Sequence, residues 1–580
     1  MNISEILLTR ALNAMRTTYF PSYVGLRLIG NQLGPSNKDL LERIILRRLS
    51  AADPWRFKRF KMYKASITVQ GETSHEYRNC LASSPITSIA ESLVLGLMAA
   101  DPAFSVHPRV FSYRWPKSIL SGVSYEFFGN GYQARNSEIA EKLDVGKVAV
   151  VTDIKAYYPS VSREKIMHAL QQRLARAQPN LTKFREEIVN FYTQLLNSGE
   201  GGIPIGPAAG HLLGHLALDE FDAELTGIYG DNYFRYVDDI IVITDSHQAD
   251  IVRSTIEKCL RRHGFTPNTD KSTFLTPAEW HESITKSDVA SDDSFRGLAS
   301  DLSVYLAFHA NKADELRKLF HDNGLPIPIR RLLSLSRYSR FRYFIRRIRS
   351  ISSFRRTARI YASSPALFLV RAQALKGAYE GELGSLLAQK AESDISKRRW
   401  QIQRIRRVVN SLFYLRDFNE WEKGIADLES TPELIEQRSL GRALASGNPE
   451  GILPFFGRGS SAFSELWREY RGGRIPLSWP EAGYTDAELE SIASLQFSGV
   501  VDLSMEAANN QQPLTRILAI AQRNRPTGRT ETDFSFEDEL ESLRLSVDNE
   551  EISELANTRY SLQEGTSLEA LSLLSSEYRS

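Results

Sequence analysis

FRYVDDIIVI, Phe234–Ile243, places two adjacent carboxylates, Asp238 and Asp239, at the pinch between two short strand-like runs. Upstream, VVTDIKAYYPSV, Val150–Val161, ends a β-branched run of buried-strand character on a third carboxylate, Asp153. Unpaired charges are rarely left in apolar surroundings, because desolvating them costs several kcal/mol. Acids bordered by Ile240, Ile241 and Val242 therefore need a compensating cation. Mg²⁺ suits, being hard, oxygen-loving and usually shared between a few carboxylates and substrate phosphates. Two such ions about 4 Å apart clamp the attacking and leaving oxygens of an in-line phosphoryl displacement. A lone Asp-Asp pair reads far more readily as hairpin turn residues; it is the matching Asp153 that reverses the reading in favour of metal ligation.

Around these stations the periodicity predicts a strand at VGKVAVVTDI (145–154) and a helix N-capped by Ser162 with Ile166, Leu170 and Leu174 on one face. A glycine-rich turn, GEGGIPIGP (199–207), leads through Pro207 into the helix AAGHLLGHLALDEFDAEL, and QADIVRSTIEKCLRRHG forms a helix stopped by Gly264. Residues 1–140 read as mixed helix and loop, with HPRVFSYRWP and GVSYEFFGNGY extended. Beyond about residue 300 the pattern is mostly helical. No 20–50-residue repeat is visible.

Four strings, in order, resemble the motifs of reverse transcriptases, particularly the bacterial abortive-infection and defence-associated type with a helical C-terminal domain. DIKAYYPS (153–160) resembles the first metal-binding motif, GIPIGP (202–207) the template- and nucleotide-proximal motif, YVDD (236–239) the catalytic hairpin and NTDKS (268–272) the later lysine motif. The resemblance implies an α+β fold: a right-hand palm and fingers followed by a separate all-α domain in place of the usual thumb. With the shifts in composition and charge along the chain, it gives four regions, 1–140 N-terminal and fingers, 141–300 palm, 301–526 helical and basic in place of the usual thumb, and 527–580 an acidic flexible tail. It assigns Asp153, Asp238 and Asp239 as metal ligands with the Ile154 carbonyl, holding two Mg²⁺ ions for which Mn²⁺ substitutes. Lys271 would neutralise pyrophosphate or protonate the leaving group, and Tyr158 would collide with a ribose 2′-OH; a turn lysine and a core aromatic are the plain alternatives. Gly206 leaves room for nucleotide approach or for helix packing. Arg78 and Arg114 are candidates to grip a triphosphate, with surface or salt-bridge roles equally open. Two departures stand out: Ile205 replaces a glutamine and Gly210 a serine of the family pattern, so polar contacts to nucleotide or template would be missing or differently supplied, which marks a branch of the family rather than loss of activity.

Length and charge agree with a multi-domain soluble chain. The 580 residues are 42% hydrophobic and 24% charged, which excludes wholesale disorder. Two cysteines form neither a disulfide framework nor, by themselves, a four-ligand zinc site, and suit a reducing cytoplasm. No apolar run approaches a membrane span, and the N-terminus does not read as a secretory signal. The formal charge of +2 conceals an acidic tail: residues 527–580 hold 4 Arg and 13 Asp plus Glu. Between Arg330 and Arg359 there are 11 arginines and no acid; Arg346, Arg347, Arg355 and Arg356, with aromatic neighbours, are candidates to track a nucleic-acid strand, the alternative being arginines that snorkel or pair with acids on other helices. The acidic tail would cover this surface as an electrostatic lid.

The expected activity is RNA-directed DNA synthesis from dNTPs in bacterial antiphage defence. Untemplated synthesis, primed from a protein hydroxyl such as Tyr578, is an alternative, and a catalytically silent nucleic-acid-binding effector is another. The expected partners are a DNA product, an RNA template or companion RNA, further copies of the chain and a second defence protein, with no membrane.

Overall fold

The computed structural model describes residues 3–33, 38–50, 54–69, 72–285, 294–333, 351–389, 395–480, 483–503, 517–518, 535–544, 547–560 and 564. Helices Ile3–Thr18 and Phe20–Leu33 pack on each other and on helix Pro85–Ala99. Between them a long antiparallel hairpin projects, β1 (Phe57–Val69) and β2 (Glu72–Ser83), in register from Phe57↔Ser83 to Val69↔Glu72 with an irregularity between Tyr63 and Ala65. The mixed helix and loop expected for this region thus includes a two-stranded arm. GVSYEFFGNGY is not extended throughout: helix Phe128–Lys142 begins inside it. Gly131 lets this helix lie close against the Phe111 backbone, since a Cβ there would lie 1.9 Å from the Phe111 carbonyl oxygen.

The central sheet has four antiparallel strands in the order β4-β5-β3-β6, with β3 Lys147–Thr152, β4 Tyr233–Tyr236, β5 Asp239–Asp245 and β6 Thr273–Leu275. Its side chains alternate between two apolar layers, as the pleat requires. Val148, Val150, Ile240 and Val242 join the main core, whereas Ala149, Phe234, Ile241 and Ile243 join a smaller cluster with Phe111, Ile139 and Trp280. Burial on both faces explains why β3 and β5 read as continuous apolar runs. Helices Arg163–Ala175, Ala209–Tyr229 and Ala249–Arg262 form where the periodicity placed them. Ser162 does cap the first, its side chain accepting from Lys165 N–H, and Gly264 follows the last at φ +89°.

The C-terminal half is helical, from Phe295–Phe308 to Asp486–Phe497, apart from a short parallel pair, β7 (Ile475–Leu477) with β8 (Val501–Leu503). This half is not a separate body. One apolar cluster runs from Leu7 to Ala556, and Phe455 and Phe456 pack edge-on against Tyr63 and Phe60 of β1. Buried Lys58 of β1 pairs with Glu490, which also accepts from Tyr19 Oη at 2.7 Å.

Where a flexible tail was expected for 527–580, the described residues 535–544 and 547–560 are ordered. Helices Phe536–Arg544 and Asn549–Asn557 lie against helix Phe20–Leu33. Glu539, fully buried, accepts from Arg48 Nη2 (3.1 Å), Arg56 Nη1 (3.2 Å), Ser84 Oγ (2.9 Å) and Ile86 N–H (2.6 Å). Its charges thus pair with buried arginines of the N-terminal region. Tyr578 lies outside the described residues. Among the described residues no helix is long and apolar enough to cross a membrane.

Candidate active site

Antiparallel pairing of β3 with β5 sets Thr152 opposite Ile240. The strand end that carries Asp153 therefore meets the strand start that carries Asp239, and the β4–β5 turn adds Asp238. Oxygens of all three carboxylates lie within 4.8 Å of one another. Asp153 and Asp238 are each 5% exposed, while Asp239 is more open. Burial, then the charges of Asp239 and Asp153, push the Asp238 carboxyl well above the usual carboxylate range, with Lys271 working the other way. Three hard oxygen donors with excess negative charge fit a divalent cation of the Mg²⁺ type.

Each carboxylate is held by its own scaffold. Asp153 Oδ2 accepts from Asn268 Nδ2 and pairs with Lys271 Nζ, both at 2.8 Å, and its carbonyl accepts from Asn268 N–H at 2.7 Å. Lys155 N–H bonds the Thr266 carbonyl at 2.9 Å. These two backbone bonds flank the bridge between Ile154 and Pro267, an arrangement that leaves the Ile154 carbonyl out of the pairing. The hairpin tip is strained, Val237 having φ +55°. Ser112 Oγ accepts from Val237 N–H at 2.9 Å, and Arg235 Nη1 donates to the Val237 carbonyl at 2.7 Å. Arg235 is in turn clamped by Asp222 of helix Ala209–Tyr229, Nε to Oδ1 at 2.7 Å and Nη2 to Oδ2 at 2.6 Å, both side chains 1% exposed. Burial alone would lower the Arg235 pKa, but Asp222 more than offsets it and the net direction is upward. Asp239 has Arg135 Nη1 at 3.9 Å. Tyr113 and Ala156 are the other two non-glycine residues at positive φ among those described, so all three lie in the loops around the carboxylates or in the segment bonded to them.

Tyr158 is buried, its ring against Gly214, where a Cβ would approach Cε1 to 3.0 Å, and its hydroxyl 2.8 Å from His211 Nδ1. His211 stacks on Tyr113 at 3.6 Å, and burial drives its pKa down to about 3, so the ring is neutral. Arg78 lies on β2 opposite Met62, and its side chain makes no hydrogen bond or ion pair among the described residues. Burial lowers its pKa while Asp238 raises it, placing its cation within electrostatic reach of the carboxylates.

Two expected nucleotide contacts are placed differently. Arg114 donates to the carbonyls of Val110 (2.7 Å) and Pro108 (3.0 Å) and covers the Phe111 ring, so it braces its own loop. Gly206, at φ +126°, admits the β2 backbone: a Cβ would lie 2.2 Å from the Leu81 carbonyl oxygen, and Leu81 N–H bonds Ile205 O at 2.8 Å. In the basic region, Arg356 pairs with Asp301 at 2.9 Å, Arg355 is exposed, and Arg346 and Arg347 lie outside the described residues. Ser112, Asp222, Arg235, His211 and Asn268 were not singled out from sequence as site residues. The available signals were an arginine inside the otherwise apolar strand YFRY, and an aspartate on the apolar face formed by Leu218, Phe221 and Leu225.

Residues 76–309 match the family model described as reverse transcriptase (RNA-dependent DNA polymerase). No curated protein matches the chain. Among solved structures, telomerase from Candida albicans in complex with a fragment of telomeric RNA aligns over 75% of this chain and 66% of its own, at 9% identity and a TM-score of 0.27. Apo telomerase from Candida tropicalis aligns over 75% and 72%, at 10% identity and a TM-score of 0.25. This chain thus spans just under two thirds of the first telomerase. The match over 76–309 brackets all three carboxylates, Tyr158 and Lys271, and marks this stretch as a domain of reverse-transcriptase type.

Proposed function

We propose that the protein is a Mg²⁺-dependent DNA polymerase of reverse-transcriptase type, with Mn²⁺ as a substitute. The convergence of Asp153, Asp238 and Asp239 within 4.8 Å carries this reading. These carboxylates, with the Ile154 carbonyl, would hold the metal, which when bound supplies Lewis acidity to the reacting phosphate oxygens. The new bond joins a hydroxyl oxygen to the α-phosphorus of a dNTP, and the bond to the bridging oxygen breaks to release pyrophosphate. Around that centre, Arg78 offers its cation to the triphosphate, Lys271 brings positive charge beside Asp153, and Tyr158 walls off the space of a ribose 2′-OH.

The fusion of this domain to a basic helical half supports a role in bacterial antiphage defence, in the cytoplasm, with a companion RNA, a second defence protein and other copies of the chain as partners. One observation favours untemplated synthesis, which a protein hydroxyl would prime. The loop 202–207 spends its polar backbone on its neighbours, Leu81 N–H on Ile205 and Ile203 N–H on the Tyr158 carbonyl at 2.8 Å, and Ile205 offers no side-chain donor to a template.

The test is incorporation by the purified full chain given primer–template, Mg²⁺ or Mn²⁺, and dNTPs singly and mixed. Asp238→Asn should lower incorporation by at least about 10²–10³-fold, the scale on which one charge-stabilising group acts, with nucleic-acid binding unchanged. Sequencing the product separates copied from untemplated DNA. Wild-type protein that incorporates nothing under any of these conditions would leave the silent binding effector as the function.

A further inference from the structure

The helices that back the palm carry a second cluster, made of residues other than the carboxylate triad. Cys259 and His263 are four residues apart at the end of helix Ala249–Arg262, so their side chains share one face. Glu224, on helix Ala209–Tyr229, meets them from across the helix–helix contact. One ligand atom from each of Cys259, His263 and Glu224 lies within 4.8 Å of the other two. His263 Nε2 is 2.9 Å from Glu224 Oε2, and Arg262 Nη1 holds the other carboxylate oxygen at 2.7 Å. The ring of Phe221 abuts His263 edge-on at 5.9 Å. Cys259 is 1% exposed, whereas the side chains of His263 and Glu224 are 19% and 25% exposed, so the cluster is walled on one side and reachable from the other.

We propose that Cys259, His263 and Glu224 form a zinc-type transition-metal site, with water as the fourth ligand, that clips helix 209–229 to helix 249–262. Sulfur, imidazole nitrogen and one carboxylate oxygen are the donor set of borderline-soft cations and a poor one for Mg²⁺. Three protein ligands with an open side leave the tetrahedral position that a water fills. Arg262 fixes the carboxylate from behind, as outer partners of metal ligands do. Without metal, burial and the neighbouring Glu224 push the Cys259 thiol up to about 12; on binding, its proton passes to solvent and the cation takes its place.

Position gives the clip a consequence for the polymerase domain. Asp222, two residues before Glu224, clamps Arg235 behind the hairpin tip. Asn268, five residues after His263, holds Asp153. A cation joining the two helices therefore ties together the scaffolds of both carboxylate stations.

The experiment is a Co²⁺ titration of chelator-stripped full-length protein. One equivalent is expected to produce a near-ultraviolet thiolate-to-cobalt charge-transfer band that Zn²⁺ abolishes by competition. Cys259→Ala should remove the band, and His263→Ala or Glu224→Gln should weaken Co²⁺ binding by at least about 100-fold, the upper end of what even an outer-shell change costs. Cys80→Ala and Asp153→Asn should leave the band intact, which separates this site from the other cysteine and from the polymerase carboxylates. Absence of the band in wild type, or its survival in Cys259→Ala, would overturn the proposal. Circular dichroism checks each variant's folding. Should Cys259→Ala be unfolded, the wild-type band and the Glu224→Gln titration still decide.

Discussion

Tyr158 is held by packing, and the proposed role in sugar selectivity can be tested apart from that packing. Its position follows from its neighbours: Gly214 gives the ring a flat seat, and His211 fixes the hydroxyl. The two roles separate by substitution. Tyr158→Ala removes the ring and should raise the ratio of ribonucleotide to deoxynucleotide incorporation by at least about tenfold, since a discriminating steric contact is worth roughly 1–3 kcal/mol. Tyr158→Phe keeps the ring and loses only the His211 bond, so its ratio should stay near wild type while its stability falls by about 1 kcal/mol. Equal ratios in wild type and Tyr158→Ala, measured by single-nucleotide incorporation, would remove the gate. The sequence motif sufficed to single out this tyrosine, because the signal is local: five residues from Asp153 on one turn. His211 was invisible for the opposite reason. It lies 53 positions away in the chain, and nothing in its own helix announces a partner.

Among the elements, the β4–β5 hairpin depends on a buried ion pair that neither strand contains entire. Arg235 and Asp222 are both 1% exposed, and the arginine also supports the carbonyl of Val237 at the strained tip. Removing one partner leaves a buried charge uncompensated, so Asp222→Ala should cost about 3–5 kcal/mol, read as a shifted denaturant midpoint. The pair Asp222→Leu with Arg235→Met should recover most of that stability, as apolar replacement of a buried pair generally does. Incorporation should nevertheless remain low, because the Val237 carbonyl has lost its donor. Recovery of full activity in the double variant would show that the clamp serves folding alone. The sheet itself was legible, since strands buried on both faces announce themselves as apolar runs. The β1–β2 arm was not. Its exposed Arg59, Lys61 and Lys64 interleave with apolar residues, and its partners Phe455, Phe456 and Glu490 come from the far half of the chain.

At the scale of the whole molecule, the described part of the acidic stretch, 535–544 and 547–560, packs on the N-terminal helix Phe20–Leu33. A run of 13 acids in residues 527–580 reads, by composition, as a solvated tail; burial reverses that reading because the arginines it meets are themselves buried. Arg48 is 1% exposed, and its guanidinium shares Glu539 with Arg56 and with the Ser84 hydroxyl at the start of helix Pro85–Ala99. Glu564, also buried, accepts from Tyr23 Oη at 2.7 Å. Truncation after Arg525 therefore strips the counter-charge from the base of the fingers. It should lower the unfolding midpoint by an amount corresponding to at least about 3–5 kcal/mol, the cost of orphaning one buried charge. Glu539→Gln isolates the charge from the packing: it keeps acceptor and shape but removes the ion pair, and should account for a large share of the loss. An electrostatic lid makes the contrary prediction, namely unchanged stability with tighter, more salt-dependent nucleic-acid binding by the truncated chain, since each newly available cation adds to the counterions released. Measuring the unfolding midpoint and the salt slope on the same truncated protein decides between a tail that covers a surface and a segment that completes the core.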